Sequence, residues 1–189
     1  MIDPVHEGTV WTTVKQWESW LAKNHDRSDG LWLLIAKKGS NKNSITIGEA
    51  LDGALCYGWI DSLRKGYDAD YYLQRYSPRK SKSPWSKINV EKVEALVAAR
   101  RMRKPGTLAI AAAKADGRWA AAYLSQRNAS LPPDLAAALN RNQRAKTAFV
   151  KLGKTGQYLV TLPLLKATSP LIRLVRLKKM ITQLEAKAK

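Results

Sequence analysis

One carboxylate, Asp61, precedes a run of guanidinium, ammonium, hydroxyl, amide and indole groups: Arg75, Ser77, Arg79, Lys80, Trp85, Lys87 and Asn89. Arg75 and Arg79 stand four apart, so in an extended chain both project from the same side. A guanidinium offers a planar donor fork that matches a carboxylate or a phosphate. Trp85, beside Ser83 and Lys87, adds a flat face with polar groups around it. These types predict an anion-recognising cleft in which Asp61 orients Arg75 or Arg79 and Trp85 stacks on the ligand. The competing reading is an Asp61–Arg79 ion pair that pins the loop, with Trp85 as a packing anchor. Mixed Arg, Trp and Asp groups on a loop serve recognition more often than the core.

Other chemistry is thinner. Ser77-Pro78-Arg79-Lys80 has the form of the Ser-Pro-basic-basic element of minor-groove binders. With Tyr71, Tyr72 and Tyr76 it gives a second reading, nucleic-acid binding through residues 64–89. Of the two histidines, His6 lies near the terminus and His25 in a turn; neither has a Cys or Ser in a nucleophile setting. Asp61 among basic neighbours is the one candidate for acid–base work, and it carries the third reading, an enzyme. There is no Gly-rich phosphate loop and no His/Glu zinc spacing, so neither a cofactor nor a metal is expected, and binding is favoured over turnover. Cys56 is the only cysteine, which excludes an intrachain disulfide; its apolar run, Ala54 to Tyr57, predicts a buried, inert thiol.

The charge points to an acidic partner. The 189 residues carry a formal net charge of +18, unevenly placed. Residues 1–62 hold 6 basic and 8 acidic side chains, whereas residues 63–104 hold 12 against 4. Residues 141–189 hold 12 basic groups against the single acid Glu185. An anionic ligand, an acidic protein, nucleic acid or an anionic membrane surface would each suit this distribution. The first residues, Met1-Ile2-Asp3-Pro4, lack a basic segment followed by an apolar one, and no apolar run approaches the ~18 residues needed to span a bilayer. A cytoplasmic location is expected.

The elements that must position these groups read as α+β, with a small antiparallel sheet and packed helices followed by a helical C-terminal part. Thr12 or Thr13 caps a helix over Val14–Asn24, and Leu31–Ala36 is a buried strand. Thr46 and Glu49 fit a capping box that opens a helix from Ile47 to about Tyr57. Gly58 ends it and Trp59-Ile60 begins a return strand, which leaves Asp61 at a strand end. Residues 64–80 are rich in β-formers and predict one or two antiparallel strands. Helices follow at Val90–Met102, Leu108–Asp116, Pro132–Asn140, Ala145–Leu152 and Leu171–Ala186. Residues 157–166 are helix or strand, with Pro163 arguing against a central strand. Pro105-Gly106 marks the boundary between a 1–105 part and a 106–189 part, expected to share a core. In the last helix Leu171, Leu174, Leu177, Ile181 and Leu184 form an apolar stripe. Packing on its own domain is the favoured role, and lying on an anionic membrane the alternative.

Three stretches, Ala54–Asp61, Arg75–Lys80 running into Ser83–Asn89, and Ala113–Trp119, resemble the YdeI/OmpD-associated family, also labelled bacteriocin-protection proteins. The likeness extends from about Trp17 to Leu184. Members often close with Ala-Lys-x-Pro-Glu-Thr-Arg-x-x-Arg-Ile. Here Ala167, Pro170, Arg173 and Arg176 are kept, while the lysine and the Glu-Thr pair are lost. The resemblance implies an accessory role in envelope stress, as resistance to bacteriocins or antimicrobial peptides. It implies no chemistry, so the mechanism expected is binding through the basic Arg/Trp loop. A chain at +18 repels cationic peptides, which argues against direct sequestration.

Overall fold

The computed structural model describes residues 8–187; Met1 to Pro4 and His6, considered above, lie outside them. The order is α1 (Val14–Asn24), β1 (Leu31–Ala36), α2 (Ile47–Cys56), β2 (Trp59–Gly66), β3 (Tyr71–Pro78), α3 (Lys87–Ala98), α4 (Lys104–Ala115), α5 (Pro133–Arg141), α6 (Gln143–Lys151), α7 (Gly153–Leu165) and α8 (Pro170–Ala186). This is the expected α+β composition, with the helices concentrated towards the C-terminus. The chain divides into two compact units: residues up to Ser83 with Lys92–Ala112, and Pro84–Glu91 with residues from Ala113 onward. Pro105 and Gly106 therefore do not separate elements; they lie in the first turn of α4, where proline costs no helical hydrogen bond.

In the first unit, capping boxes start α1 and α2. Thr13 accepts from the Gln16 amide and Thr46 from the Glu49 amide, with each partner side chain returning to the cap. The sheet is antiparallel with order β1-β3-β2. Trp17 and Leu21 of α1 and Ala50 and Ala54 of α2 pack with Leu33, Ile35, Trp59 and Tyr76. The aromatic rings interlock: Trp17 stacks on Trp20 at 5.6 Å, and both rings meet Trp59 edge-on. Gln74 is buried mid-strand, and a β-bulge solves its hydrogen bonding. The register shifts between Asp61 and Arg64, and the Leu63 carbonyl accepts from Gln74 Nε2 at 3.1 Å while Arg64 Nε donates to Gln74 Oε1.

Cys56 ends α2 fully enclosed, and burial pushes its thiol up to about 11. It should resist alkylation in native buffer and react only at the rate of unfolding, followed by mass after iodoacetamide. Complete labelling within minutes of mixing under native conditions would contradict this placement.

In the second unit, Leu135 and Leu139 of α5, Ala148 and Phe149 of α6, Leu164 of α7, and Met180 and Leu184 of α8 form one cluster. Residues 157–166, open between helix and strand in the sequence, are helical. Pro163 sits inside α7 where its neighbour Leu159 is exposed, so the interrupted turn faces solvent. The two arginines retained from the closing pattern explain how α8 holds α7. Arg173 donates to the Leu164 carbonyl and Arg176 to the Pro163 carbonyl, both among the last carbonyls of α7. The α8 stripe divides: Met180 and Leu184 are buried with Leu177 and Ile181 packed beside them, whereas Leu171 is 71% and Leu174 48% exposed.

Arg173 also grips Asp134 bidentately, at 2.7 and 2.8 Å. Arg173→Ala should lower the stability of this unit by about 1–2 kcal/mol, the pair itself being screened because both side chains are about a third exposed. The Arg173 hydrogen bonds hold the Asp134 carboxyl below its ordinary value. A depressed carboxyl contributes stability that is fully present above the unfolded value of about 4 and disappears as pH falls through the lower folded value. Melting temperatures taken below about pH 4 should therefore fall less steeply in Arg173→Ala than in the parent chain. An unchanged acid slope would remove the pair from the account.

Candidate functional site

Two close backbone approaches build a pocket in the first unit. Gly58 follows α2 at φ +73°, a left-handed turn open to glycine, and a Cβ there would stand 3.0 Å from the Pro105 carbonyl oxygen. Gly106 returns the approach: a Cβ on it would overlap the Cys56 carbonyl oxygen and lie 2.7 Å from that of Leu55. The Arg103 amide donates to the Cys56 carbonyl at 3.1 Å, and the Arg79 amide to that of Gly58 at 3.0 Å. The start of α4 and the end of β3 are thus fixed to the same short turn. On the third side Trp59 Nε1 donates to the His25 carbonyl at 3.0 Å.

The cavity so enclosed has a volume of about 600 Å³ and opens to solvent. Arg79 and Lys104 supply cations, and Tyr57, Trp59, Pro78, Pro105, Leu108 and Ala109 supply apolar surface. His25 lies on the wall, its ring 5.8 Å from that of Tyr57. His25 Nδ1 is 3.1 Å from the Leu21 carbonyl and so carries the hydrogen, leaving Nε2 as the atom the ring can offer a ligand. Among the described residues Asp26 is the one acid on the lining, well exposed and 4.0 Å from Arg27. A guanidinium, an ammonium and the first turn of a 12-residue helix on one largely apolar pocket can hold an anion with an apolar body. The buried, protonated Cys56 supplies no nucleophile to this turn. Among the described residues no three His, Cys, Asp or Glu side chains gather as a metal site requires.

Of the eight residues singled out in the sequence, Arg79 lines this pocket. Arg75 instead clasps the turn before β1: its Nη2 donates to the Asp29 carbonyl at 3.1 Å and lies 4.0 Å from the Asp29 carboxylate. Gly30 makes room for it, since a Cβ there would stand 2.6 Å from that same nitrogen. Asp61 is the third residue of β2, not a strand end, because the strand runs on to Gly66. It is exposed and stands opposite Tyr76, and none of the ion pairs among the described residues includes it. Burial, and then the Asp61 charge, pushes the Tyr76 hydroxyl well above its ordinary value. Ser77 pairs with Ile60 in the sheet, and Lys80 is exposed on a turn closed by the Ser83 amide.

Trp85, Lys87 and Asn89 belong to the second unit. Trp85 is 2% exposed and packs against Trp119 at 4.9 Å, so its indole presents no face to solvent and the stacking role expected of it has no surface to act from. Its carbonyl accepts from the Tyr123 amide, and the Lys87 amide returns to the Tyr123 carbonyl, which makes this stretch a short parallel bridge. Ser86 Oγ accepts from the Asn89 amide at the start of α3; Lys87 is exposed. His25, Tyr57, Lys104 and Leu108 are among the pocket residues that the sequence did not single out as a site. No local signal marks them, because they meet only through the Gly58–Pro105 and Trp59–His25 contacts.

Residues 9–109 match the family model described as a domain of unknown function (DUF8412), and residues 128–187 match the one described as Bacteriocin-protection, YdeI or OmpD-Associated. The pocket lies wholly within the first match. Ala167, Pro170, Arg173 and Arg176 lie within the second; the 54–61 and 75–89 stretches fall in the first, and 113–119 lies between the two. No curated protein and no solved structure matches the chain.

Proposed function

We propose that this chain, which belongs to the DUF8412 family and carries a YdeI/OmpD-associated segment at residues 128–187, protects a bacterial cell against bacteriocin or antimicrobial-peptide stress by non-catalytic binding of an anionic partner, acting from the cytoplasm. The observation that carries the reading is the largely apolar pocket of about 600 Å³ whose lining includes both Arg79 and Lys104. The net charge of +18 repels a cationic peptide, so the partner is an anionic cell component and protection is indirect. Among the described residues no helix is long and apolar enough to cross a membrane. The test compares survival of bacteriocin-challenged cells that carry the parent chain or R79Q/K104Q. The double variant is expected to lose protection while melting like the parent; intact protection would overturn the reading.

A second reading, nucleic-acid binding, is favoured by one observation. Residues 61–69 are all exposed, and in this stretch Arg64 sits 4.7 Å over the Tyr72 ring and Tyr67 is open to solvent. Retention on immobilised single-stranded DNA that falls steeply with salt, and falls less steeply in R64Q/K65Q, would support it. Absent or salt-insensitive retention would dispose of it.

A further inference from the structure

The second unit holds a larger cavity, of about 710 Å³, built by helix α7 and the loop that precedes α5. Lys154, Gln157, Tyr158, Thr161 and Leu165 recur at three- and four-residue steps and so form one face of α7. Phe149 of α6 and Thr161, both buried, form the floor, and the loop from Gln126 to Leu131 forms the opposite wall. The loop is tied down at two points. Tyr158 donates to the Leu124 carbonyl, and Gln126 Nε2 donates to Thr155 Oγ1, each at 3.0 Å.

The polar groups inside are largely committed. Thr161 Oγ1 donates to the Gln157 carbonyl at 2.7 Å, and Gln157 Nε2 to the Phe149 carbonyl at 3.3 Å. The uncommitted charges are two cations. Arg127 and Lys154 line the cavity, both exposed, and neither joins an ion pair among the described residues. Among the described residues no carboxylate lines the cavity. Leu131 stands 47% exposed on the wall, an apolar side chain that solvent would leave if the space were filled. The volume falls within the range of small-molecule sites, about 300–1,000 Å³.

We infer that this cavity binds a small amphiphilic anion: an apolar body against Phe149, Leu131 and Leu165, with one carboxylate or phosphate head between Arg127 and Lys154. Two neighbouring cations without a carboxylate admit an anionic head and reject a cationic one. The site is independent of the Arg79 pocket, since all its lining residues belong to the other unit.

Calorimetric titration of the full chain with octanoate, octyl phosphate, octan-1-ol and octylamine tests the inference. Saturable binding of octanoate or octyl phosphate that persists in R79Q/K104Q is expected, the tighter of the two identifying the head, with octylamine at least ~10-fold weaker. R127Q/K154Q should weaken the anions at least ~10-fold and leave octanol unchanged, with melting like the parent. Leu131→Glu, which places a carboxylate on the wall, should give a comparable loss. Octylamine binding as tightly as octanoate, no saturable binding of either anion, or an unaffected double variant would each overturn it. So would a loss that follows R79Q/K104Q instead, which would assign the ligand to the first unit.

Discussion

Trp17→Ala is expected to lower the unfolding free energy of the first unit by about 3–5 kcal/mol, the largest effect of any single truncation in this core. Trp17 is 0% exposed, and its ring meets Trp20, Trp59 and Tyr76 at 5.6 to 6.4 Å. Its Nε1 donates to the Ala50 carbonyl at 2.9 Å, so the same side chain ties α1 to α2. The site was shaped around it: a Cβ on Gly53 of α2 would stand 2.9 Å from Trp17 Cδ1. Truncation therefore leaves a cavity whose walls are aromatic rings and helix backbone, groups that collapse poorly. Trp17→Phe keeps much of the volume but loses the hydrogen bond, and should cost about 1–3 kcal/mol. Urea denaturation gives both values; a loss below about 1 kcal/mol for Trp17→Ala would mean that this cluster is not the core of the unit.

Gly106→Ala is expected to cost about 2–3 kcal/mol, the upper part of the range for overpacking, for the opposite reason. The added methyl would overlap the Cys56 carbonyl oxygen and crowd that of Leu55, both backbone atoms that cannot rotate away. The first turn of α4 must lift, and with it Lys104 and Pro105 on the pocket wall. Loss of anion binding should accompany the loss of stability. Gly66→Ala is the control: a Cβ there meets nothing within 4 Å, so its effect should stay within about 0.5 kcal/mol. Equal effects at Gly66 and Gly106 would show that the contact between α2 and α4 does not set the pocket.

Local rules made most of the elements legible. The Thr46–Glu49 capping box, the turn around Gly58 and the apolar run of β1 each follow from neighbours in sequence, and each appears where it is expected. The ambiguous stretch at 157–166 needed tertiary context: α7 is helical because Leu164 faces the α5–α8 cluster, whereas Pro163 points outward. Pro105-Gly106 read as a break because both residues disfavour helix interiors. A first turn tolerates proline, and a close helix contact requires glycine. On the pocket lining, Arg79 could be singled out because its residue type and its place in a basic loop are local features. His25, Lys104 and Leu108 could not be, because they lie far from Arg79 in sequence and are brought to it by the Gly58–Pro105 and Trp59–His25 contacts. Trp85 could not be distinguished from a stacking platform without its packing partner, Trp119. The α8 stripe shows the same limit: periodicity defines an apolar face, but only the surrounding helices decide that Leu184 is covered and Leu171 is not.

Calorimetric titration with inorganic pyrophosphate tests whether Arg79 and Lys104 form an anion site. The parent chain should bind saturably with one site, and R79Q/K104Q should weaken binding at least ~10-fold. The charge-matched K178Q/K179Q, altered on the exposed side of α8, should bind like the parent. Equal weakening in both double variants would mean that pyrophosphate reads only the net charge; that outcome, or unaltered binding in R79Q/K104Q, would rule out the anion site.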